Sequence, residues 1–209
     1  MRRILGFCLF LIFVFQGFSQ DGVNKFSDPI IREIHDLADQ RDVNGLAAFL
    51  RDTNMNYRGE TLMCLGSFQD VEIVDSIVLA MDSEFDLIRM AGAFALGQTC
   101  HASAAIQIRK LLEAEEKPLV RGMLYDALGK SGSMEDLDWL GEQDLKLQET
   151  EGQAMGVFRF ALRGMTTDIG NDRMLVLCAG GTSVAGLIYA SYHLGRYAAR
   201  EWLQTNAIH

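Results

Sequence analysis

The sequence predicts an all-α fold, an α-solenoid of about five stacked helix pairs. Three observations carry that prediction. A Leu-Gly pair, or a near copy of it, recurs at Leu65-Gly66, Leu96-Gly97, Leu128-Gly129, Leu162-Arg163 and Leu194-Gly195, with spacings of 31, 32, 34 and 32 residues. An arginine stands eight positions before each of the first three glycines, as Arg58, Arg89 and Arg121. Pro29 and Pro118 are the only prolines, and no regular valine–threonine alternation marks a strand.

The elements follow in chain order. Met1-Arg2-Arg3, an apolar run from Ile4 to Phe15, and small residues at Gly17 and Ser19 form the layout of a secretory signal peptide over residues 1–19. The run is twelve residues, short of the roughly 20 a spanning helix needs. Residues 20–28 are a linker, and residues 29–209 the solenoid. Ser27-Asp28-Pro29 opens a helix over Ile30 to Leu37, with proline in the first turn. Val43 to Leu50 is the partner of a helix starting near Asn56. From each motif arginine to the leucine, apolar residues fall three and four apart, one face of a helix. Cys64, Ala95, Ala127 and Ala161 are small, which allows close approach of neighbouring helices. Gly66, Gly97, Gly129 and Gly195 are expected to end their helices in the left-handed conformation. Second helices are expected at Val71 to Met81, Ala102 to Leu112, Met134 to Leu140 and Asp172 to Ala179. The fourth repeat has a longer polar approach, Gly141 to Gln153. Tyr197 to Leu203 reads as the first helix of a sixth pair, an unpaired end that either meets another chain or belongs to something longer.

Charge narrows the partners. Loss of residues 1–19 removes two of the 19 basic residues and none of the 28 acids, taking the formal charge from −9 to −11. Such a surface repels nucleic acid and anionic lipid headgroups, so a protein or peptide partner is expected, with no nucleic acid and no membrane span after cleavage. Three cysteines then remain, Cys64, Cys100 and Cys178, a poor disulfide framework.

The period, the Arg-to-Leu-Gly segment and the acids ahead of each arginine together resemble HEAT repeats. Those acids are Asp52 before Arg58, Asp82 and Asp86 before Arg89, and Glu115 and Glu116 before Arg121. The resemblance covers about Ile30 to Gly195, and it implies that these Arg and acid positions form structural ladders between stacked repeats. It weakens after the third repeat, where Met155 and Leu187 replace the arginine. Asn24 to Arg32 and Ala93 to Gln98 are similar to the N-terminal HEAT region of exported Bacteroidetes proteins. Some of those continue into a cyclophilin-type prolyl isomerase domain. This second resemblance implies a non-catalytic arm, and a reading frame that continues past His209 into such a domain would support it.

No constellation points to intrinsic catalysis, a metal or a cofactor. Cys100-His101 lies after a helix and lacks the spaced partners of a zinc site. Leu175 to Gly186 contains Gly180, Gly181 and Gly186, which match neither the dinucleotide nor the P-loop spacing. Asp136, Asp138, Glu142 and Asp144 lack calcium-loop spacing and read as a solvated helix face. His35 and His193 are isolated in sequence, and His193 stands where the motif has a small residue. Trp139, Phe158, Phe160, Tyr189, Tyr192, Tyr197 and Trp202 cluster toward the C-terminus, as interface or as core. The arginine-bearing helices are expected to line a concave face. Glu60, Tyr125 and Arg159 on them, with Tyr189 and Tyr192, are the candidate partner contacts.

Overall fold

Short-range polar caps set where several of the helices begin. The computed structural model describes residues 24–143, 146–180 and 182–206, with the side chains of residues 202, 203 and 206 left aside. The expected leader over 1–19 lies outside the described residues, as do residues 20–23, Asp144 and Gly181. The chain divides at Glu33 and Ile34 into two units. In the first, Asn24 caps a 3₁₀ turn over Lys25–Ser27, and Asp28 Oδ1 accepts from the Ile30 N–H at 2.8 Å to open helix α1, Pro29–Asp39.

In the second unit α1 ends and ten further helices follow. They are α2 Val43–Phe49, α3 Met55–Leu65, α4 Val74–Ala80, α5 Asp86–Thr99 and α6 Ala102–Ala114. Then come α7 Pro118–Ser131, α8 Met134–Glu142, α9 Thr150–Leu162, α10 Asp168–Gly180 and α11 Val184–Asn206. Asp42 caps α2, Asn54 caps α3, His101 caps α6, and Ser133 with Asp136 forms a reciprocal capping box on α8. Pro118 occupies the first turn of α7, where its missing N–H costs nothing.

The helices form two layers. In the first, α3, α5, α7, α9 and α11 pack each on the next along the stack. In the second, α2, α4, α6, α8 and α10 pack on them from one side. No strand occurs among the described residues. This is an all-α solenoid of helix pairs. Leu62, Leu65, Ile88, Leu96, Val120, Leu124, Leu128, Val157 and Phe160 fill the seam between layers and are buried. All but Ile88 and Val120, which directly precede their motif arginines, lie in the segments that sequence periodicity marks.

The glycines do a different job from the one expected. Gly66 follows α3 with a right-handed φ of −56°, and Gly97, Gly129 and Gly195 lie inside α5, α7 and α11. None is a left-handed stop. Instead they set how closely first-layer helices approach. A Cβ on Gly97 would stand 2.8 Å from Ala127 Cα, and one on Gly156 would stand 2.6 Å from the Tyr125 carbonyl. A Cβ on Gly129 would strike the Gly156 carbonyl, and one on Gly152 the Gly122 backbone. The left-handed positions fall elsewhere, at Arg41, Gln69, Cys100 and Gly164.

Two further expectations need correction. Leu194-Gly195 ends nothing, because α11 runs unbroken from Val184 to Asn206 and Tyr197 lies on the same helix. The sixth pair is therefore one long helix whose glycine carries the helix through. In the fourth repeat the polar approach is shorter than Gly141 to Gln153. Gly141 belongs to α8, a 3₁₀ turn covers Leu147–Glu149, and α9 begins at Thr150. Its helix ends on the motif leucine, Leu162, with Arg163 as the cap, and the left-handed position follows at Gly164 with φ +78°.

Candidate functional site

Helix geometry brings one cluster of reactive side chains together. Glu60 and Cys64 are four apart on α3, so both project from one face a turn apart. His35, on α1, meets them. Its Nε2 lies 2.7 Å from Glu60 Oε1, and its Nδ1 lies 4.0 Å from Cys64 Sγ. The His35 and Glu60 side chains are 31% and 20% exposed, while Cys64 is 9% exposed, so the cluster sits at the rim of the core. Among the described residues this is the one place where three His, Cys or carboxylate donors converge. Sequence reading missed it. The signal present was the Glu60/Cys64 spacing; what was absent was any sign that α1 reaches α3 across the intervening α2.

The motif arginines behave in three ways. Arg58 Nε makes no hydrogen bond among the described residues, and its guanidinium lies 5.9 Å from the Phe85 ring centre. Asp52 caps locally instead, accepting from the Asn54 N–H at 2.7 Å. Arg89 joins two repeats: it pairs with Asp86 at 2.7 Å and with Glu115, in the turn before α7, at 2.7 Å. Glu115 thus serves the preceding arginine, and only its backbone carbonyl accepts from Arg121. The Glu115 hydrogen bond raises the Arg89 pKa against the pull of burial. Burial by itself would raise the Glu115 carboxyl, but Arg89 and the backbone N–H groups of Lys117 and Glu116 hold it below its ordinary value.

Arg121 is the buried copy. Its Nε lies 2.8 Å from Glu149 Oε2 as an ion pair, without hydrogen-bond alignment, and its Nη2 donates to the Tyr125 hydroxyl at 2.7 Å. Tyr125 in turn donates to Glu149 at 3.1 Å, and burial pushes the Tyr125 phenol up. Arg121 also donates to the Leu112 and Glu115 carbonyls. Every group here is committed to the stack. Tyr125 is fully buried, so it is no partner contact: its ring fills the seam, and its hydroxyl belongs to this network. Glu60 is paired with His35, and Arg159 with Asp126 at 2.6 Å, which Lys130 also meets at 2.6 Å.

Other singled-out residues have local tasks. Cys100 takes the left-handed position that ends α5, and His101 Nδ1 accepts from the Ser103 N–H to start α6. Asp136 closes the α8 capping box and meets Arg109 at 3.3 Å. Residues 175–180 are helical, where a nucleotide-binding unit would have a strand, and α11 starts at Val184. Tyr189 and Tyr192 on α11 both pack on Phe158 of α9, with ring centres 5.0 and 5.1 Å away. His193 is fully buried, and neither ring nitrogen makes a hydrogen bond of ordinary geometry. Burial lowers its pKa to about 4; the Val157 backbone offsets only part of this.

The surface holds open grooves between repeats. One of about 650 Å³ runs between Cys100, Ala102, Ile106, Arg109, Glu135 and Met165. Large apolar side chains also stand out where the later first-layer helices begin. Leu87 and Leu119 occupy the same repeat position, in the first turns of α5 and α7, and are 65% and 74% exposed. Leu147, just before α9, and Val184, at the start of α11, are 69% and 76% exposed. No helix among the described residues is long and apolar enough to cross a membrane.

Comparison with known proteins finds no matching family model and no matching curated protein. Among solved structures the chain is similar to the designed armadillo repeat protein YIII(Dq)4CqI. The TM-score is 0.47 at 11% sequence identity, over 79% of this chain and 86% of that one.

Proposed function

We propose that this chain is an exported binding scaffold of the HEAT type, without catalysis of its own, that holds a protein or peptide partner. The carrying observation is the set of strongly exposed apolar side chains Leu87, Leu119, Leu147 and Val184, of which Leu87 and Leu119 share one repeat position. They stand at the starts of α5, α7 and α11 and just before α9, helices that are consecutive neighbours in the first layer. Exposed apolar side chains carry a solubility cost that a partner removes. The net acidity of the chain favours a partner with basic groups around an apolar strip. The ion pairs of the arginine ladder are consumed within the stack, so they support the scaffold and leave recognition to the surface.

The test is capture from an envelope extract by the wild-type chain and by a Leu87→Glu, Leu119→Glu, Val184→Glu variant. The variant should keep its helical spectrum and lose the captured protein. Retention of the same partner would remove the apolar set from the account. Export is tested separately: expression with the native leader should give a mature N-terminus at Gln20.

A further inference from the structure

We propose that His35, Glu60 and Cys64 form a binding site for a thiophilic divalent cation of the zinc type. The donor set has the right chemistry. A thiolate, an imidazole and a carboxylate together suit Zn²⁺, and three protein ligands with one open position leave room for water. Placement is also favourable. Two of the donors are one turn apart on α3 and the third comes from α1, so helices fix all three backbones. Their ligand atoms lie within 4.8 Å of one another. Around a tetrahedral zinc, neighbouring ligand atoms stand roughly 3.3–3.8 Å apart, given metal–ligand distances of about 2.0–2.3 Å. As placed, different ring nitrogens meet the two partners, Nε2 at 2.7 Å from Glu60 Oε1 and Nδ1 at 4.0 Å from Cys64 Sγ.

The imidazole can present one nitrogen to both partners. As placed, Nε2 faces Glu60 and Nδ1 faces Cys64. Turning the ring over about Cβ–Cγ exchanges Nε2 with Cε1, the ring atom that lies between the two nitrogens. Nε2 then stands between the Glu60 oxygen and the Cys64 sulfur. The two ring orientations have the same shape, so the turn needs no repacking. The partial exposure of His35 and Glu60 gives an ion a way in, while the near-complete burial of Cys64 shields the thiolate. Binding displaces the thiol proton into solvent, gives up the His35–Glu60 hydrogen bond, and leaves the imidazole proton on Nδ1, exchanged there from Nε2 through solvent, so that Nε2 can ligate.

Cobalt(II) added to the full chain tests this. A near-ultraviolet thiolate-to-cobalt charge-transfer band should appear at one equivalent and be displaced by zinc. Cys64→Ser should abolish the band, while Cys100→Ser and Cys178→Ser should leave it unchanged. His35→Asn should weaken cobalt binding by more than the roughly 10–100-fold that losing an outer-shell partner costs. Because His35 is partly exposed, that variant tests the site even if Cys64→Ser fails to fold. No band, a band that survives Cys64→Ser, or unchanged affinity in His35→Asn would overturn the proposal.

Discussion

Between α7 and α9, backbone meets backbone at Gly122 and Gly152 and again at Gly129 and Gly156, and the seam encloses the Arg121–Tyr125–Glu149 network. Along α11, by contrast, Gly195 faces nothing within 4 Å among the described residues, and Val184, Ile188 and Tyr192 stand exposed. Both regions carry the same repeat motif. The difference shows that the motif does not specify a helix end; it specifies a contact, which exists only where a neighbour is present to make it. A glycine within a helix costs about 1 kcal/mol against alanine. Between α7 and α9 that cost is recovered through close packing, and at Gly195 it is not.

The largest break in this contrast should come from Glu149→Gln. It leaves the Arg121 guanidinium buried without its counter-charge, and removing one member of a buried pair costs about 3 kcal/mol or more. Urea unfolding should show the loss with the helical spectrum retained.

Next in size is a pH effect from α11. His193 has a folded pKa of about 4 against an ordinary 6.5, so the unfolded chain binds its proton first. Stability is therefore complete above about pH 6.5 and falls as pH drops toward 4, by on the order of 3 kcal/mol. Glu115, whose pKa is lowered in the fold, adds a later loss as pH falls below its ordinary value of 4.5. Thermal melts of wild type and His193→Leu across pH 7 to 4 separate the two: the variant should lose the first decline and keep the second.

A smaller effect sharpens the view of the ladder. Arg89→Ala removes a largely buried bridge to Glu115 and should cost about 1 kcal/mol. Arg58→Ala, at the equivalent position with no ion pair among the described residues, should stay within about 0.5 kcal/mol of wild type. Equal losses would mean that the arginine acts through packing of its aliphatic stem and that the bridge is incidental.

The fold was legible because its period is written in residues that must face the seam. Leu65, Leu96 and Leu128 are buried, as are Cys64, Ala95, Ala127 and Ala161 beside them. The role of the glycines was not legible, because a helix stop and a close helix contact both select for a missing side chain. Only the position of the neighbour distinguishes them. The arginine ladder was half legible. Glu115 was visible ahead of Arg121, but its side chain reaches back to Arg89, and Glu149 lies 28 residues beyond the arginine it serves. Tyr125 reads as a surface aromatic until the register of α9 places Gly156 and Glu149 against it. His35, Glu60 and Cys64 needed the packing of α1 on α3, which no local pattern encodes.

The central claim is that motif glycines are contact points between successive first-layer helices. Urea unfolding of Gly129→Ala and Gly195→Ala, measured side by side, tests it most directly. An added methyl at 129 must displace the Gly156 backbone and should cost about 1–3 kcal/mol. The same methyl at 195 meets open space and should raise stability by up to about 1 kcal/mol through helix propensity. Equal destabilisation at both positions would contradict the account.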